Sequence, residues 1–93
     1  MIKTWAHRDA QKIFNNKVSR RLGPQVSKIA RRKLKMLNAA TTVTDLRVPP
    51  GNRLEALKGD RKGQHSIRVN DQYRVCFSWH NGDAFDVEIV DYH

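Results

Sequence analysis

Cysteine is almost missing from this chain, and its scarcity excludes two common ways of stabilising a small domain. The single Cys76 cannot form an internal disulfide or supply a zinc site built from several cysteines. It stands within an apolar strand-like segment, which predicts a packed structural thiol rather than a nucleophile. The composition therefore suits a reducing cytosol.

Long apolar runs are also missing. No segment approaches the length needed to span a bilayer, and the first seven residues lack the apolar stretch of a signal peptide. We therefore expect a cytoplasmic protein without membrane contact. The four histidines are scattered without ligand spacing, so we predict no metal site and no cofactor.

Acidic residues are scarce in the first 40 positions. Asp9 is the only acid there, against eleven Lys and Arg, whereas residues 41–93 carry seven Lys and Arg and eight acids. The net charge of +9 is thus concentrated in the first segment. Such a field attracts polyanions, with nucleic acid the leading candidate, and the alternative is a solvated basic face without a partner.

Hydrophobic periodicity predicts one α+β domain over residues 1–93. We expect a short N-terminal strand over residues 1–6 and a helix from Asp9. A second helix restarts after Gly23-Pro24, and a helical turn follows over residues 42–46. Strands are predicted over residues 53–57, 65–70, 73–80 and 84–90, with a hairpin at Asn81-Gly82.

Alternation along these strands predicts a twisted antiparallel sheet whose apolar face receives the two to three helices. The last strand is expected to direct Phe85, Val87 and Ile89 to that face. Burying unpaired arginines is costly, so we expect the other face to be open. It carries Ser66, Arg68, Arg74, Cys76 and Ser78, with Tyr92 as a further candidate.

The chain ends on Asp91-Tyr92-His93, directly after the last strand. Cleavage of RNA by its own 2′-hydroxyl needs a base, an acid and cations. His93 is the best general acid or base because imidazole titrates near neutrality. Asp91 is a candidate to orient His93 or act as base, and Tyr92 to stack on a base or donate a proton. A disordered His, an exposed carboxylate and a packed aromatic ring are the respective alternatives.

Three further residues complete the candidate catalytic set. Arg74 stands among apolar residues and is interpreted as a phosphate clamp or as a partner for Asp91 or Glu88. Lys58 precedes Gly59 on a turn with access to solvent, and an inert surface lysine is the alternative interpretation. Glu55 is a candidate base, although a solvated strand glutamate is the default interpretation.

Three blocks in this order resemble the HigB branch of the RelE superfamily of toxins. They are Leu57-Lys58-Gly59-Asp60, Ser66-Ile67-Arg68 and the terminal Asp91-Tyr92-His93. The similarity begins at Met1-Ile2-Lys3 and covers essentially the whole chain. It implies a RelE-like microbial ribonuclease fold, with helices packed on a twisted antiparallel sheet.

The resemblance also implies an activity and partners. The family cleaves messenger RNA on the ribosome, in the decoding site, without a cofactor. Its partner is a HigA-type helix-turn-helix antitoxin, through which alone it reaches operator DNA. Lys58, Arg74, Asp91, Tyr92 and His93 match positions of the family's active site.

Position 55 departs from the family pattern. Some members place a catalytic histidine there, whereas this chain has a carboxylate. Other RelE relatives use a glutamate as base. The base is therefore Glu55, Asp91 or His93.

The basic first half then acquires an expected role in docking on ribosomal RNA phosphates. The residues expected to do so are Arg20, Arg21, Lys28, Arg31, Arg32 and Lys35, with Arg68 on the sheet. Alternatives are a weakly catalytic inhibitor that binds the ribosome, and a non-enzymatic nucleic-acid-binding module built on the two helices. A membrane-surface protein is disfavoured because the apolar stripe of the second helix lacks aromatic anchors.

Overall fold

The computed structural model describes residues 1–92, and it has a layer of helices on one face of a four-stranded antiparallel sheet. Helices α1 and α2 span Arg8–Phe14 and Gly23–Ala39. Short 3₁₀ turns span Val43–Arg47, Pro50–Asn52 and Gly59–Arg61. Strands β1 to β4 span Glu55–Ala56, Gln64–Arg68, Tyr73–His80 and Asp83–Asp91, and they lie in chain order. The predicted α+β fold is confirmed.

Helix α2 forms where the sequence combines a restart signal with an apolar stripe. Pro24 lies in its first turn, where its missing N–H costs nothing. Ala30, Leu34 and Leu37 are fully buried and face the sheet. Lys33 lies beside this stripe, and its ammonium donates a hydrogen bond to Oδ1 of the buried Asn52. Burial lowers the pKa of Lys33, and the nearby Arg32 and Arg68 lower it further.

The first and second predicted strands are shorter than expected. Residues 1–6 form no continuous strand, because only Ile2 and Trp5 make isolated parallel bridges, to Ala84 and Val87. Residues 53–57 are reduced to the two residues of β1. Arg53 adopts a left-handed conformation, with φ of 45°, and so ends extended backbone on that side.

A β-bulge changes the face of one predicted core residue. Asp86 has φ of 54°, and the register between β3 and β4 shifts between Cys76 and Ser78. Phe85 therefore pairs with Ser78 and lies on the polar face, which corrects its predicted place in the core. Ala84, which pairs with Trp79, is buried instead.

The two faces of the sheet differ in what covers them. Ile67, Val75 and Phe77 are fully buried in the cluster that contains the helical core residues. Arg74 and Cys76 alternate with them, and so they lie on the opposite face. That face is less open than predicted, because Arg74 is only 7% exposed and Cys76 is fully buried. Among residues 1–92, none of the helices is both long and apolar enough to cross a membrane.

Candidate active-site cavity

Arg74 is the central polar residue of the sheet face that the helices leave uncovered. Its Nε donates a 2.7 Å hydrogen bond to Oγ of the buried Ser66. Its Nη2 donates to the carbonyls of Arg53 and, at 3.3 Å, of Ser66. These hydrogen bonds compensate the cost of burying the guanidinium, which was the reason for expecting Arg74 to be exposed. Its Nη1 has no acceptor among residues 1–92, so that nitrogen remains available to a ligand in a fixed orientation.

A cavity of about 220 Å³ opens beside Arg74. Glu55 enters it from β1, and its Oε1 lies 3.6 Å from Nη2 of Arg74. The Tyr92 ring enters from the other side, with its centroid 5.9 Å from the Arg74 guanidinium carbon. Antiparallel pairing of β1 with β2 places Glu55 beside Ser66, and the Ser66 hydroxyl accepts the hydrogen bond from Arg74. The lining residues are Arg53, Glu55, Arg68, Asn70, Asp71, Arg74 and Tyr92.

Charge in this cavity is positive on balance. Three arginines line it against two carboxylates, and Asp71 is paired with Arg68. The Glu55 side chain is 47% exposed and keeps access to solvent. The arrangement can therefore hold an anionic group against Arg74, with a carboxylate and an aromatic ring beside it.

Arg61 is a residue of this face that sequence reasoning missed. It is the last residue of the 3₁₀ turn after β1. Its Nη1 donates to Gln64 at 3.0 Å, and its Nη2 pairs with Glu88 at 2.6 Å. Those partners flank β3, so the guanidinium passes across Cys76, which pairs with Glu88. The hydrogen bond to Glu88 raises the pKa of Arg61, and burial raises the pKa of the Cys76 thiol.

Asp91 is not brought into the Arg74 cavity. It pairs with Tyr73 in β4, and so its side chain faces the opposite side from that of Tyr92. Its Oδ2 accepts a 3.1 Å hydrogen bond from Gln72. It lines a different cavity, along the edge of β4, with Asp9 and Arg21. Of Asp91 and Tyr92, it is therefore Tyr92 that lies beside Arg74.

The two remaining candidate catalytic residues are Lys58 and His93. Lys58 is exposed at the start of the turn after β1, and its side chain makes no hydrogen bond or ion pair within residues 1–92. His93 lies outside the described residues.

The predicted RNA-docking residues of the helical layer fall into two groups. Arg20, Lys28 and Arg32 are exposed. Arg31, however, donates to the carbonyls of Ile13 at 2.8 Å and Lys17 at 2.9 Å, which ties α2 to the last turn of α1 and to the connector after it.

Arg21 and Lys35 are also engaged. Arg21 pairs with Asp9 at 2.9 Å and donates to the Ile89 carbonyl at 2.9 Å. Burial acts to raise the pKa of Asp9, but the hydrogen bonds from Arg21 and Ser19 outweigh it and lower that pKa. Lys35 places its ammonium 4.3 Å from the centroid of the Phe14 ring. These residues hold the fold as well as carrying charge.

Within the described part of the chain, no three His, Cys, Asp or Glu side chains gather where they could hold a metal ion. The fold and the site together define a class: a small basic α+β domain with a cationic cavity on its sheet and further cations on its helical layer. Such a domain is suited to contact a polyanion.

Comparison with known proteins identifies the family. The model of the family described as "RelE-like toxin of type II toxin-antitoxin system HigB" matches residues 3–93. The chain is 33% identical over 97 aligned positions to Endoribonuclease HigB of Proteus vulgaris, and the match covers all of both chains. The chain belongs to the HigB-like toxins of the RelE superfamily.

Other relatives match over less of their length. The chain is 56% identical over 55 residues to Toxin HigB-1 of Vibrio cholerae, which covers 59% of this chain and 58% of that protein. It is 43% identical over 57 residues to an uncharacterized protein of Haemophilus influenzae, of which 56% is covered. These matches thus span little more than half of those two relatives.

Among solved structures, the fold is similar to a chain of the YoeB-YefM complex from Staphylococcus aureus. The TM-score is 0.56, and the match covers 100% of this chain and 98% of that one. The sequence identity is 16%, so this likeness concerns the fold alone.

Proposed function

We propose that this chain is the toxin of a type II toxin–antitoxin module and that it cleaves messenger RNA on the ribosome without a metal ion. The observation that carries the proposal is the buried Arg74, which lines a cavity with Glu55 and Tyr92 and whose Nη1 has no acceptor within residues 1–92. A relative that aligns over the full length bears the name Endoribonuclease HigB, which supports an RNA substrate.

The chemistry proposed is attack by the 2′-hydroxyl on the adjacent phosphorus. Glu55 takes the hydroxyl proton, the 2′-oxygen bonds to phosphorus, and the bond to the 5′-oxygen breaks. The products are a 2′,3′-cyclic phosphate and a 5′-hydroxyl. Nη1 of Arg74 donates to a non-bridging oxygen as negative charge builds there, and its fixed orientation makes that donation effective.

The remaining site residues receive supporting roles. Tyr92 stacks on a nucleobase next to the scissile phosphate, since its ring is 42% exposed at the cavity. His93 supplies the proton to the departing 5′-oxygen. Asp91, held by Gln72, fixes the end of β4 from which Tyr92 and His93 follow. Lys58, Arg53 and Arg68 add positive charge near the phosphate, and Asp91 and His93 remain alternatives to Glu55 as base.

The ribosome would contribute alignment. Attack requires the 2′-oxygen, the phosphorus and the 5′-oxygen to lie in line, and holding reactants in such a geometry accounts for much of a barrier reduction. The basic helical layer would dock on ribosomal RNA through Arg20, Lys28 and Arg32. The proposed regulatory partner is a HigA-type helix-turn-helix antitoxin, through which operator DNA would be contacted.

The test is to map the 5′ ends of messenger RNA after induction of the chain. We expect new 5′-hydroxyl ends that disappear with Arg74→Lys and with His93→Gln, while the exposed Arg47→Lys cuts as the parent does. Purified protein should cut message on ribosomes much faster than naked message. Growth inhibition that persists in Arg74→Lys and His93→Gln without new ends would refute cleavage and favour the weakly catalytic inhibitor.

A further inference from the structure

Phe85 is an aromatic residue on the face of the sheet that the helices leave uncovered. The β-bulge at Asp86 adds one residue to β4 and so directs Phe85 to that face, beside Ser78 of β3. The φ of 54° at Asp86 is uncommon for a residue other than glycine. Because bulges often re-aim a side chain beside a functional site, the Phe85 ring is a candidate contact for a ligand.

The ring of His80 accompanies Phe85 on this face. The two ring centroids are 5.8 Å apart, and the ring planes are inclined by 59°. His80 is exposed and Phe85 is half-buried, and Phe85 does not belong to the hydrophobic cluster under the helices. Two rings that are partly open to solvent offer a surface on which a nucleobase can stack.

A cavity of about 520 Å³ adjoins this aromatic pair, and we name it the Gln64 cavity after the residue that lines it from β2. Gln64 pairs with Ser78 across β2 and β3, and Ser78 pairs with Phe85 across β3 and β4. Gln64 and Phe85 therefore lie on either side of Ser78, about 10 Å apart at two strand spacings. A base that stacks on Phe85 can reach the Gln64 amide.

The charges in the Gln64 cavity are balanced. Arg61 lines it but is paired with Glu88, and the charges of Lys62 and Asp60 offset one another. The Arg74 cavity, by contrast, has three arginines against two carboxylates. A polar cavity without excess charge, beside aromatic rings, is suited to a nucleobase rather than to a phosphate.

The orientation of the Gln64 amide determines which base it suits. Its Oε1 accepts a 3.0 Å hydrogen bond from Nη1 of Arg61, so the amide is fixed and its oxygen is occupied. Within residues 1–92, its Nε2 has no acceptor. Glutamine pairs with adenine through both its oxygen and its nitrogen, whereas this amide presents only donors. It therefore favours a base with a carbonyl on its edge, as guanine and uracil have.

The Gln64 cavity lies at the other end of β3 from the Arg74 cavity. Arg74 and Ser78 are four residues apart on one strand, a separation of about 13 Å. A stacked strand rises by about 3.4 Å per nucleotide, so this distance spans several nucleotides. The Arg61 guanidinium crosses the face between the two cavities, over Cys76. A single strand that lies along β3 can reach both cavities with different nucleotides.

We propose that the Gln64 cavity, with Phe85 and His80 beside it, binds a nucleobase of the RNA substrate outside the two nucleotides that the scissile phosphate joins. Phe85 stacks on the base, and Nε2 of Gln64 selects guanine or uracil over adenine. The inference rests on the proposed function for the identity of the ligand as single-stranded RNA.

The experiment measures binding of 2′-deoxy hexanucleotides, which lack the attacking hydroxyl and so cannot be cut. Uracil replaces adenine at one position at a time in an adenine hexamer. In the parent, uracil should bind about fivefold more tightly than adenine at one or more positions, since one hydrogen bond is gained. Gln64→Glu keeps an oxygen for Arg61 but replaces the donor by an acceptor, and it should abolish this preference. The matched control Gln25→Glu adds the same charge at an exposed glutamine outside the cavity and should keep the preference.

Two changes at Phe85 test the stacking separately. Phe85→Leu should weaken binding of every hexamer by about fivefold or more, because a base loses its aromatic platform. Phe85→Tyr keeps the ring and should bind as the parent does. Equal affinities of these two variants would overturn the role of the ring, and this comparison holds even if Gln64→Glu fails to fold.

The outcomes separate this inference from the proposed cleavage. Equal affinity for uracil and adenine at all six positions in the parent would overturn the inference, and so would equal loss of the preference in Gln64→Glu and Gln25→Glu. Arg74→Lys should lose cleavage of RNA and keep the uracil preference. A parent that shows the preference but cuts no RNA would remove the proposed cleavage alone.

Discussion

Replacing Ser66 by alanine tests whether the buried serine fixes Arg74 for its role. The variant removes the 2.7 Å hydrogen bond from Nε of Arg74 in a fully buried place where water cannot substitute. A hydrogen bond to a charged group contributes about 1.5 to 3 kcal/mol. We expect the free energy of unfolding to fall by that amount, which at about 1.5 kcal/mol per M shifts the urea midpoint by about 1 to 2 M.

The same change should lower cleavage, because Nη1 is held in place through the bond that Nε makes. We expect a fall of about tenfold or more in the cleavage rate, which corresponds to about 1.4 kcal/mol of lost transition-state stabilisation. Ser78→Ala is the matched control, since Ser78 lies on the same sheet face and is only half-buried. It should alter stability by less than about 0.5 kcal/mol. Equal effects of the two variants on stability and cleavage would refute the role assigned to Ser66.

Three further outcomes follow from contacts elsewhere in the molecule. Arg61→Gln removes the guanidinium that crosses Cys76. Labelling of this thiol by a disulfide reagent should then become about tenfold faster, which corresponds to about 1.4 kcal/mol of lost protection. The control Lys62→Gln should leave the labelling rate unchanged. Asp9 has a lowered pKa, so its ionised form stabilises the fold above the usual carboxylate pKa, and this contribution is lost as the pH falls through the depressed value. Asp9→Asn should thus lower the unfolding free energy by about 1 kcal/mol at pH 6, and the difference should shrink toward pH 2 in urea titrations; a constant difference would contradict this. Tyr92→Leu should weaken binding of a short oligonucleotide by about fivefold or more, because about 1 kcal/mol of stacking is lost. Tyr92→Phe keeps the ring and should bind as the parent does. Equal loss of affinity in both variants would exclude stacking.

The elements predicted best are those whose signals are local. Strand β3 coincides with the predicted residues 73–80, because its alternation is complete and Asn81-Gly82 supplies two positive-φ residues for the hairpin. The break before α2 was likewise visible in Gly23-Pro24. Such signals depend only on residues that are close together in the sequence.

Phe85 was misplaced for the complementary reason. Residues 85–89 alternate without interruption, and nothing local marks Asp86 as the site of a bulge. The bulge is a property of how β4 pairs with β3. Arg61 was missed similarly, because its partner Glu88 is 27 residues away in the sequence.

The sequence predicted which residue types belong to the candidate site better than it predicted how those residues are arranged. Arg74 stood out as a cation among apolar residues, yet its burial depends on acceptors from Ser66 and Arg53, which only the folded chain brings near. The carboxylate of Asp91 and the ring of Tyr92 were expected together, but strand alternation sends them to opposite sides of the sheet. Whether these residues act as proposed stays a prediction.

The hydrogen bonds from Arg31 to the carbonyls of Ile13 and Lys17 give this residue two contributions, its positive charge and its support of the fold, and a substitution removes both. Arg31 has the same formal charge as Lys28 or Arg32, but its guanidinium also holds the connector between the helices in place by hydrogen bonds. A scan that scores every lost cation by growth rescue would mix weakened docking with reduced folded protein. Abundance measured beside toxicity is what keeps the two apart.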